Sequence, residues 1–373
     1  MAADPLFQPL KLGALELNHR VVMAPLTRMR AHEPGNTPHA LNAEYYSQRA
    51  SDGGLQITEA TDISLQSRGY RRVPGVFTAE QIHGWKTVTR AVHEKGGLIV
   101  NQVWHVGRVS HSSLQPDNAR PVAPSAIAAP GVISDARGES VPFEAPRALD
   151  IGEIASIQAD FVRAAINARS AGFDAVEVHG ANGYLIDQFL NNGSNIRTDR
   201  YGGSIENRSR FLLEVVDAVA AAIGADRVGV RLSPWSGILG MVDSDGVRLW
   251  QYVISELGKR KIAYLHLIEP RADFTNDDKP LNMSAPDVAP LFRKAFNGPI
   301  VSAGGFQSDT ARAAIASGKS DAIAFGRPFI ANPDLPDRLL KNAPLTRHIR
   351  ATFYGGGATG YTDYPFLDRA VNG

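Results

Sequence analysis

There is no cysteine in the 373 residues of this chain. That absence excludes disulfides, thiolate zinc sites, iron–sulfur ligation and a cysteine nucleophile. Nor is charge of one sign in excess. With 39 basic and 38 acidic residues, the formal net charge is +1, which gives no general field for nucleic acid or an anionic membrane. Long apolar runs are missing; none approaches the roughly 18 residues that read as a membrane span. The opening stretch, MAADPLFQPLKLGALELNHR, has no early basic cluster followed by an apolar run, so it does not look like a targeting peptide. These absences point to a soluble protein, with the cytoplasm as its expected location. Low-complexity segments, a Walker motif and a G-x-S-x-G elbow are lacking too. The histidines are scattered, and His105 and His111 have no carboxylate at ligand spacing, so no metal site is expected.

What is present is a rhythm of short apolar run, loop and helical pattern. The runs are Arg20 to Thr27, Leu55 to Ile63, Leu98 to Gly107, Ala175 to Gly180, Val228 to Ser233, Ala263 to Pro270, Pro299 to Gly305 and Ala322 to Pro328. Most are β-branched and nearly continuous, as strands buried on both faces should be. Between them lie helical patterns such as EIASIQADFVRAAINARSAG, which stops at Gly172, and SRFLLEVVDAVAAAIG, which stops at Gly224. A third, SDTARAAIASG, opens on a Ser/Asp cap and closes at Gly318. Alternation of this kind implies a parallel sheet with right-handed crossovers, and eight units close most economically into an α/β fold of the (β/α)8 TIM-barrel type. Two doubly wound domains are the competing fold. No linker near the middle and no G-x-G-x-x-G after the first strand supports it. The expectation is one barrel domain over 1–373. Two stretches break the rhythm, Arg108 to Asp150 and Asn191 to Arg210. The first is expected to be a lid-like insertion at about 108–150, since a long insertion after a strand is more often a binding loop than an accident.

Polar residues recur where the apolar runs end. Thr27 closes the first, Gln102 and Trp104 interrupt the third, His179 closes the fourth with Asn182 and Tyr184 just beyond, and Arg231 sits in the fifth. Each alone has a plain structural explanation: a hydrogen-bonded histidine, a satisfied core amide, an arginine paired with a buried carboxylate. Their joint placement argues otherwise. All would face the C-terminal mouth of the barrel, and leaving so many polar groups buried without partners would cost about 1–3 kcal/mol each. A polar ligand would satisfy them. At the last two strands, Gly304, Gly305 and Gly326 would let backbone N–H groups approach an anion, with the fork of donors on Arg327 beside them. The loops after strands seven and eight are the usual phosphate site of such barrels. The residues therefore suggest a phosphorylated organic cofactor. They do not choose between flavin and pyridoxal phosphate, although pyridoxal chemistry would want a lysine and none of these strand ends carries one.

The run HGANGYLIDQFLNNGSNIRTDRYGGSIENRSRFLLEVVDAV resembles the signature of the old yellow enzyme family, flavin-dependent ene-reductases. The likeness extends over nearly the whole chain, through VVMAPLTRMRA, ITEATDIS, NQVWHVGR, GRPFIANPDL and TFYGGGATGYTDYP. It implies a (β/α)8 barrel with non-covalent FMN at its mouth and NADPH or NADH as hydride donor. It also implies roles. Thr27 would bond the flavin C4 carbonyl, with backbone around Pro25 and Ala60 flanking that edge. Gln102 would take the pyrimidine edge, and Arg231 the region of N1 and the C2 carbonyl. Gly304, Gly305, Gly326 and Arg327 would hold the phosphate. His179 and Asn182 would donate to the activating oxygen of the substrate, and Tyr184 would protonate its α-carbon on the face opposite hydride delivery. Trp104, Phe274 and Tyr354 would line the substrate pocket.

The implied activity is ping-pong reduction, through flavin N5, of enones, enals, maleimides or nitroalkenes, with nitrate esters or nitroaromatics as further oxidants. Thr27 stands where another branch carries cysteine, which places the chain nearest the classical branch. The physiological substrate, the choice of nucleotide and the choice between monomer and homodimer are left open, and depend on the loops at Arg108 to Asp150 and Arg271 to Ala285. Two rival readings remain at this point: a flavin-free barrel enzyme acting on a phosphorylated metabolite, and a non-catalytic flavin-binding protein.

Overall fold

The computed structural model describes residues 3–271, 281–282 and 284–367. Eight parallel strands close on themselves: β1 (Val21–Met23), β2 (Leu55–Ile57), β3 (Leu98–Trp104), β4 (Ala175–Gly180), β5 (Val228–Leu232), β6 (Tyr264–Ile268), β7 (Ile300–Ala303) and β8 (Ala322–Phe325). Each pairs in parallel with the next, and β8 returns to β1 through Ile323 opposite Val21. This is the (β/α)8 barrel expected from the sequence. All eight predicted runs hold a strand, and the strands are short because the runs included their loops. The first ends at Met23, four residues before Thr27, since Pro25 has no N–H to continue the ladder. The second divides into β2 and a two-residue strand, Thr61–Asp62, that pairs with the end of β3.

Helices cover the outside, among them α1 (Ala40–Gln48), α2 (Ala79–His93), α3 (Ile151–Ser170), α4 (Leu185–Leu190) and α5 (Ile205–Ile223). Their limits follow local chemistry. A capping box of Thr78 with Gln81 starts α2, and one of Asp150 with Glu153 starts α3. Gly224, at φ 91°, ends α5. Beyond these lie α6 (Val247–Lys259), α7 (Val288–Phe292), α8 (Ser308–Ala316), α9 (Arg327–Ala331) and α10 (Leu335–Leu340). Among the described residues no helix is long and apolar enough to cross a membrane.

Of four apolar clusters among the described residues, the two largest build the barrel. The larger fills the space between strands and helices, with Val103, Val176, Val178, Phe211 and Val230 among its members. The smaller lies inside the barrel, where Val22, Leu55, Val100, Ala175, Tyr264, Val301 and Ala322 meet Leu12, Leu15 and Leu17 of an N-terminal hairpin. Ala14 of that hairpin donates to the Asp226 carbonyl just before β5, so the hairpin closes the bottom of the barrel. The opposite mouth is left to polar residues.

The stretch from Arg108 to Asp150 carries more order than its composition suggested. Val122–Ala123 pairs with Arg147–Ala148, and Val132–Ser134 forms a hairpin with Ser140–Pro142. The Arg108 guanidinium donates to the Ile127 carbonyl at 3.1 Å and the Leu239 carbonyl at 3.0 Å, tying this insertion to the loop after β5.

Candidate active site

Alternation along the strands decides which side chains reach the mouth. In β4, Ala175 belongs to the inner cluster, so Glu177 and His179 share its face. In β3, Val100 is inside, and Gln102 and Trp104 follow it. Register sets Gln102 opposite Glu177, His179 opposite Arg231, and Arg231 opposite His266.

His179 is 4% exposed. Its Nδ1 accepts the Ala181 N–H at 3.3 Å, which leaves the ring proton on Nε2. Burial, with the Arg231 charge next in importance, pushes its pKa down to about 3. The ring is therefore a neutral donor at ordinary pH. Beyond it the chain turns through two left-handed residues, Asn182 at φ 56° and Gly183 at φ 79°. Asparagine is among the few side chains that accept this conformation. The turn is fixed by the Asn182 N–H on the Ser233 hydroxyl at 2.7 Å and the Gly183 N–H on the Asp187 carboxylate at 2.8 Å. Gly183 is needed for the turn itself. Gly180 is needed for space, since a Cβ there would lie 3.1 Å from the Arg231 carbonyl.

Tyr184 follows at the start of α4. Its ring stands perpendicular to that of His179, with centroids 5.1 Å apart, and edge-on to Trp104 at 4.5 Å. Its hydroxyl meets that of Tyr70 at 3.3 Å. Burial, reinforced by the neighbouring Tyr70, pushes its pKa well above the ordinary tyrosine value. Trp104 is held by its indole N–H on Asp62 at 2.9 Å and stacks on Tyr70. Burial raises the Asp62 pKa to about 8.

Below this wall lies a charged layer. Gln102 Nε2 donates to Glu177 at 2.7 Å, and His266 Nδ1 lies 2.9 Å from the other Glu177 oxygen. Among the described residues no donor reaches Gln102 Oε1. Arg231 is 7% exposed, and among the described residues its buried Nε has no hydrogen-bond partner. Burial brings its pKa down to about 10, so it remains charged. Thr27 is half-buried at the loop after β1. That loop is pinned by Glu59, whose carboxylate accepts the N–H groups of Arg28 at 3.0 Å and Met29 at 3.1 Å. Ala60 is buried beside it.

At the far side, Gly304 (φ 111°) and Gly305 (φ 70°) follow β7, and Gly326 and Arg327 join β8 to α9. Gly304 has a packing reason, since a Cβ would lie 2.7 Å from the Glu269 carbonyl. Among the described residues a Cβ on Gly326 would meet only Leu26, at 3.3 Å, which leaves this backbone open to close approach.

Tyr354 stands apart from these groups. It is 59% exposed on the C-terminal segment, though its phenol is near enough to help raise the pKa values of Tyr70 and Tyr184. That segment is held by buried arginines. Arg28 Nε donates to the Phe353 carbonyl at 2.9 Å and its terminal nitrogen to the Gly360 carbonyl at 2.7 Å. Arg30 Nε reaches Gly357 at 2.9 Å, and Arg49 reaches Tyr361 at 3.1 Å. Phe274 lies outside the described residues. His111 does find a carboxylate, Glu144 at 3.3 Å, brought from elsewhere in the insertion. This contact joins two residues, and among the described residues no group of three potential metal ligands occurs.

Glu177, His266, Asp62 and Tyr70 do not stand out in the sequence. Glu177 has a readable signal: a carboxylate inside a buried strand, two positions before His179 and so on its face. The others are joined to the site only by folding.

The orphaned guanidinium, the Gln102 amide with an acceptor to spare and the open backbone at Gly326 fit a planar, polar, phosphorylated ring system such as FMN. Residues 5–346 match the sequence profile of the NADH:flavin oxidoreductase / NADH oxidase family. The chain is 48% identical to 12-oxophytodienoate reductase 1 of Oryza sativa subsp. japonica, covering 98% of this chain and 94% of that protein. It is 46% identical to 12-oxophytodienoate reductase 2 of Arabidopsis thaliana, with 98% and 96% covered. A solved structure of morphinone reductase in complex with tetrahydroNAD superposes with a TM-score of 0.90, at 48% identity over 99% of each chain. Both rival readings, flavin-free and non-catalytic, give way to this evidence. The chain belongs to the NADH:flavin oxidoreductase / NADH oxidase family, the old yellow enzymes, and is an FMN-dependent oxidoreductase.

Proposed function

We propose that this enzyme reduces the C=C bond of activated alkenes, such as enones, enals, maleimides and nitroalkenes, at the expense of NADPH or NADH. When bound at the mouth, FMN would supply the hydride-transfer chemistry between the nicotinamide nucleotide and the alkene. The observation that carries the reading is the pairing of His179 with Tyr184. A neutral imidazole with its proton on Nε2 and a phenol kept protonated by burial meet in one pocket. His179 and Asn182 donate to the carbonyl or nitro oxygen of the substrate, drawing electron density from the β-carbon as an oxyanion hole does. Tyr184 delivers the proton to the α-carbon.

On the cofactor side, Thr27, Gln102 and Arg231 hold the ring system, helped by backbone at Pro25 and Ala60. Gly304, Gly305, Gly326 and Arg327 hold the phosphate. Trp104 and Tyr354 line the substrate pocket, with Phe274 assigned from sequence alone. Morphinone reductase, so similar in fold, has been solved in complex with tetrahydroNAD, which supports a nicotinamide nucleotide as the hydride donor here. We further infer that the whole chain works as one barrel domain, with 108–150 as its lid.

An anaerobic stopped-flow experiment tests the reading. NADPH or NADH should bleach the flavin band, and 2-cyclohexenone should restore it rapidly. Bleaching without enone-driven recovery would refute the alkene as oxidant.

A further inference from the structure

The buried carboxylate of Glu177 has no role in the reaction as described, yet it sits at the centre of the charged layer. Gln102 Nε2 reaches one of its oxygens at 2.7 Å and His266 Nδ1 the other at 2.9 Å. It is wholly buried, as is His266. A glutamate placed inside a barrel is costly unless paired and hydrogen-bonded. Here both oxygens are used, and the neighbouring cation, Arg231, makes no hydrogen bond to it. A structural ion pair would have closed that contact. The layer instead holds the charges apart and leaves the arginine unspent. The tyrosine beneath, Tyr264, fits only because Gly229 has no side chain, since a Cβ there would lie 2.3 Å from its ring.

We propose that Glu177 is a positioning residue that sets the polarity of the flavin floor. By accepting Nε2 it fixes the orientation of the Gln102 amide, so that Oε1 is the atom offered to a ring N–H. By its charge it offsets Arg231, limiting how strongly that cation favours the reduced, anionic flavin. Coulomb interactions in so buried a layer are only weakly screened, so one charge is felt across it. Burial alone would raise the Glu177 pKa. The contact with His266, the charge of Arg231 and the hydrogen bond from Gln102 overcome it and hold the group below the ordinary carboxylate value, ionised at neutral pH, while burial keeps His266 itself below the ordinary histidine value. This inference rests on the assignment of Gln102 and Arg231 to the flavin ring.

The test is the two-electron midpoint potential and the FMN dissociation constant of the holoenzyme and two variants. Glu177→Gln removes the charge at constant size. It should shift the reduction equilibrium toward reduced flavin by at least about tenfold, which is about 30 mV for a two-electron couple. Glu177→Asp keeps the charge but shortens the reach. It should move that equilibrium less than about twofold while weakening FMN binding about tenfold, since the amide is no longer held. If Glu177→Gln binds FMN with an unchanged potential, or if both variants shift the potential equally, the proposal is overturned. Should Glu177→Gln not fold, Glu177→Asp carries the test alone, and unchanged FMN affinity or a shifted potential overturns it. Failure of the underlying assignment shows separately: replacing Arg231 by Met in the otherwise unaltered holoenzyme would then leave the potential unmoved.

Discussion

The lower and upper halves of the barrel interior are built by the same eight strands on the same alternation, and they obey opposite rules. Below, Val22, Leu55, Val100, Ala175 and Val301 close on the N-terminal hairpin, and every buried group gains from leaving water. Above, Gln102, Glu177, His179, Arg231 and His266 occupy the next inward positions. Here Arg231 Nε, His266 Nε2 and Asn182 Oδ1 are buried with no hydrogen-bond partner among the described residues. The lower half is finished by the chain itself. The upper half keeps polar atoms that the described residues do not satisfy.

That contrast can be broken by mutation, and the largest effect is expected below. Leu55→Ala opens a cavity in the lower core and should cost about 2–5 kcal/mol of stability, with turnover unchanged well below the melting transition. Chemical denaturation together with steady-state assay checks both halves of the statement. Next comes Tyr184→Phe. Reoxidation of reduced enzyme by an enone should slow by about 10²-fold or more while reduction by NADPH stays nearly intact. An unchanged oxidative rate removes Tyr184 from proton delivery.

A pH experiment probes the same upper half through stability. His179 has a pKa of about 3 when folded, against 6.5 for the ordinary residue. Between these values the unfolded chain binds a proton that the folded chain refuses, so stability falls as pH drops through that window. The stability of His179→Asn should fall less than that of wild type between pH 6.5 and 4.5, by roughly 2 kcal/mol. Parallel curves would show that His179 is not held neutral. The smallest effect is on binding. His179→Ala combined with Asn182→Ala should weaken phenol, a mimic of the substrate enolate, by about 10- to 100-fold, the worth of two hydrogen bonds. Unchanged phenol affinity in a spectral titration would undo the donor pair.

The sequence announced the barrel because eight strands buried on both faces leave eight apolar runs, and neither a mid-chain linker nor a G-x-G-x-x-G favoured two doubly wound domains. It announced His179, Asn182 and Tyr184 because polar residues after an apolar strand are conspicuous. Glu177 left a fainter signal, a carboxylate within such a strand two positions before His179, and its partner Gln102 is set only by register. Asp62 and Tyr70 are set beside Trp104 by a two-residue strand too short to be read as a pattern. The two glycines of HGANGY look alike in sequence, and only backbone angles separate the one that turns from the one that makes room.

The arginines that tie the C-terminal segment have a consequence for how this molecule is made. Arg28 and Arg30 belong to the first barrel unit, and most of the carbonyl groups that satisfy them come from Thr352 to Gly360. During synthesis those cations emerge more than 300 residues before these acceptors. No partial chain on the ribosome can finish the mouth. A truncation that spared every strand and helix of the barrel, yet stopped short of residue 352, would strip Arg28 and Arg30 of most of their acceptors beside the loop that carries Thr27.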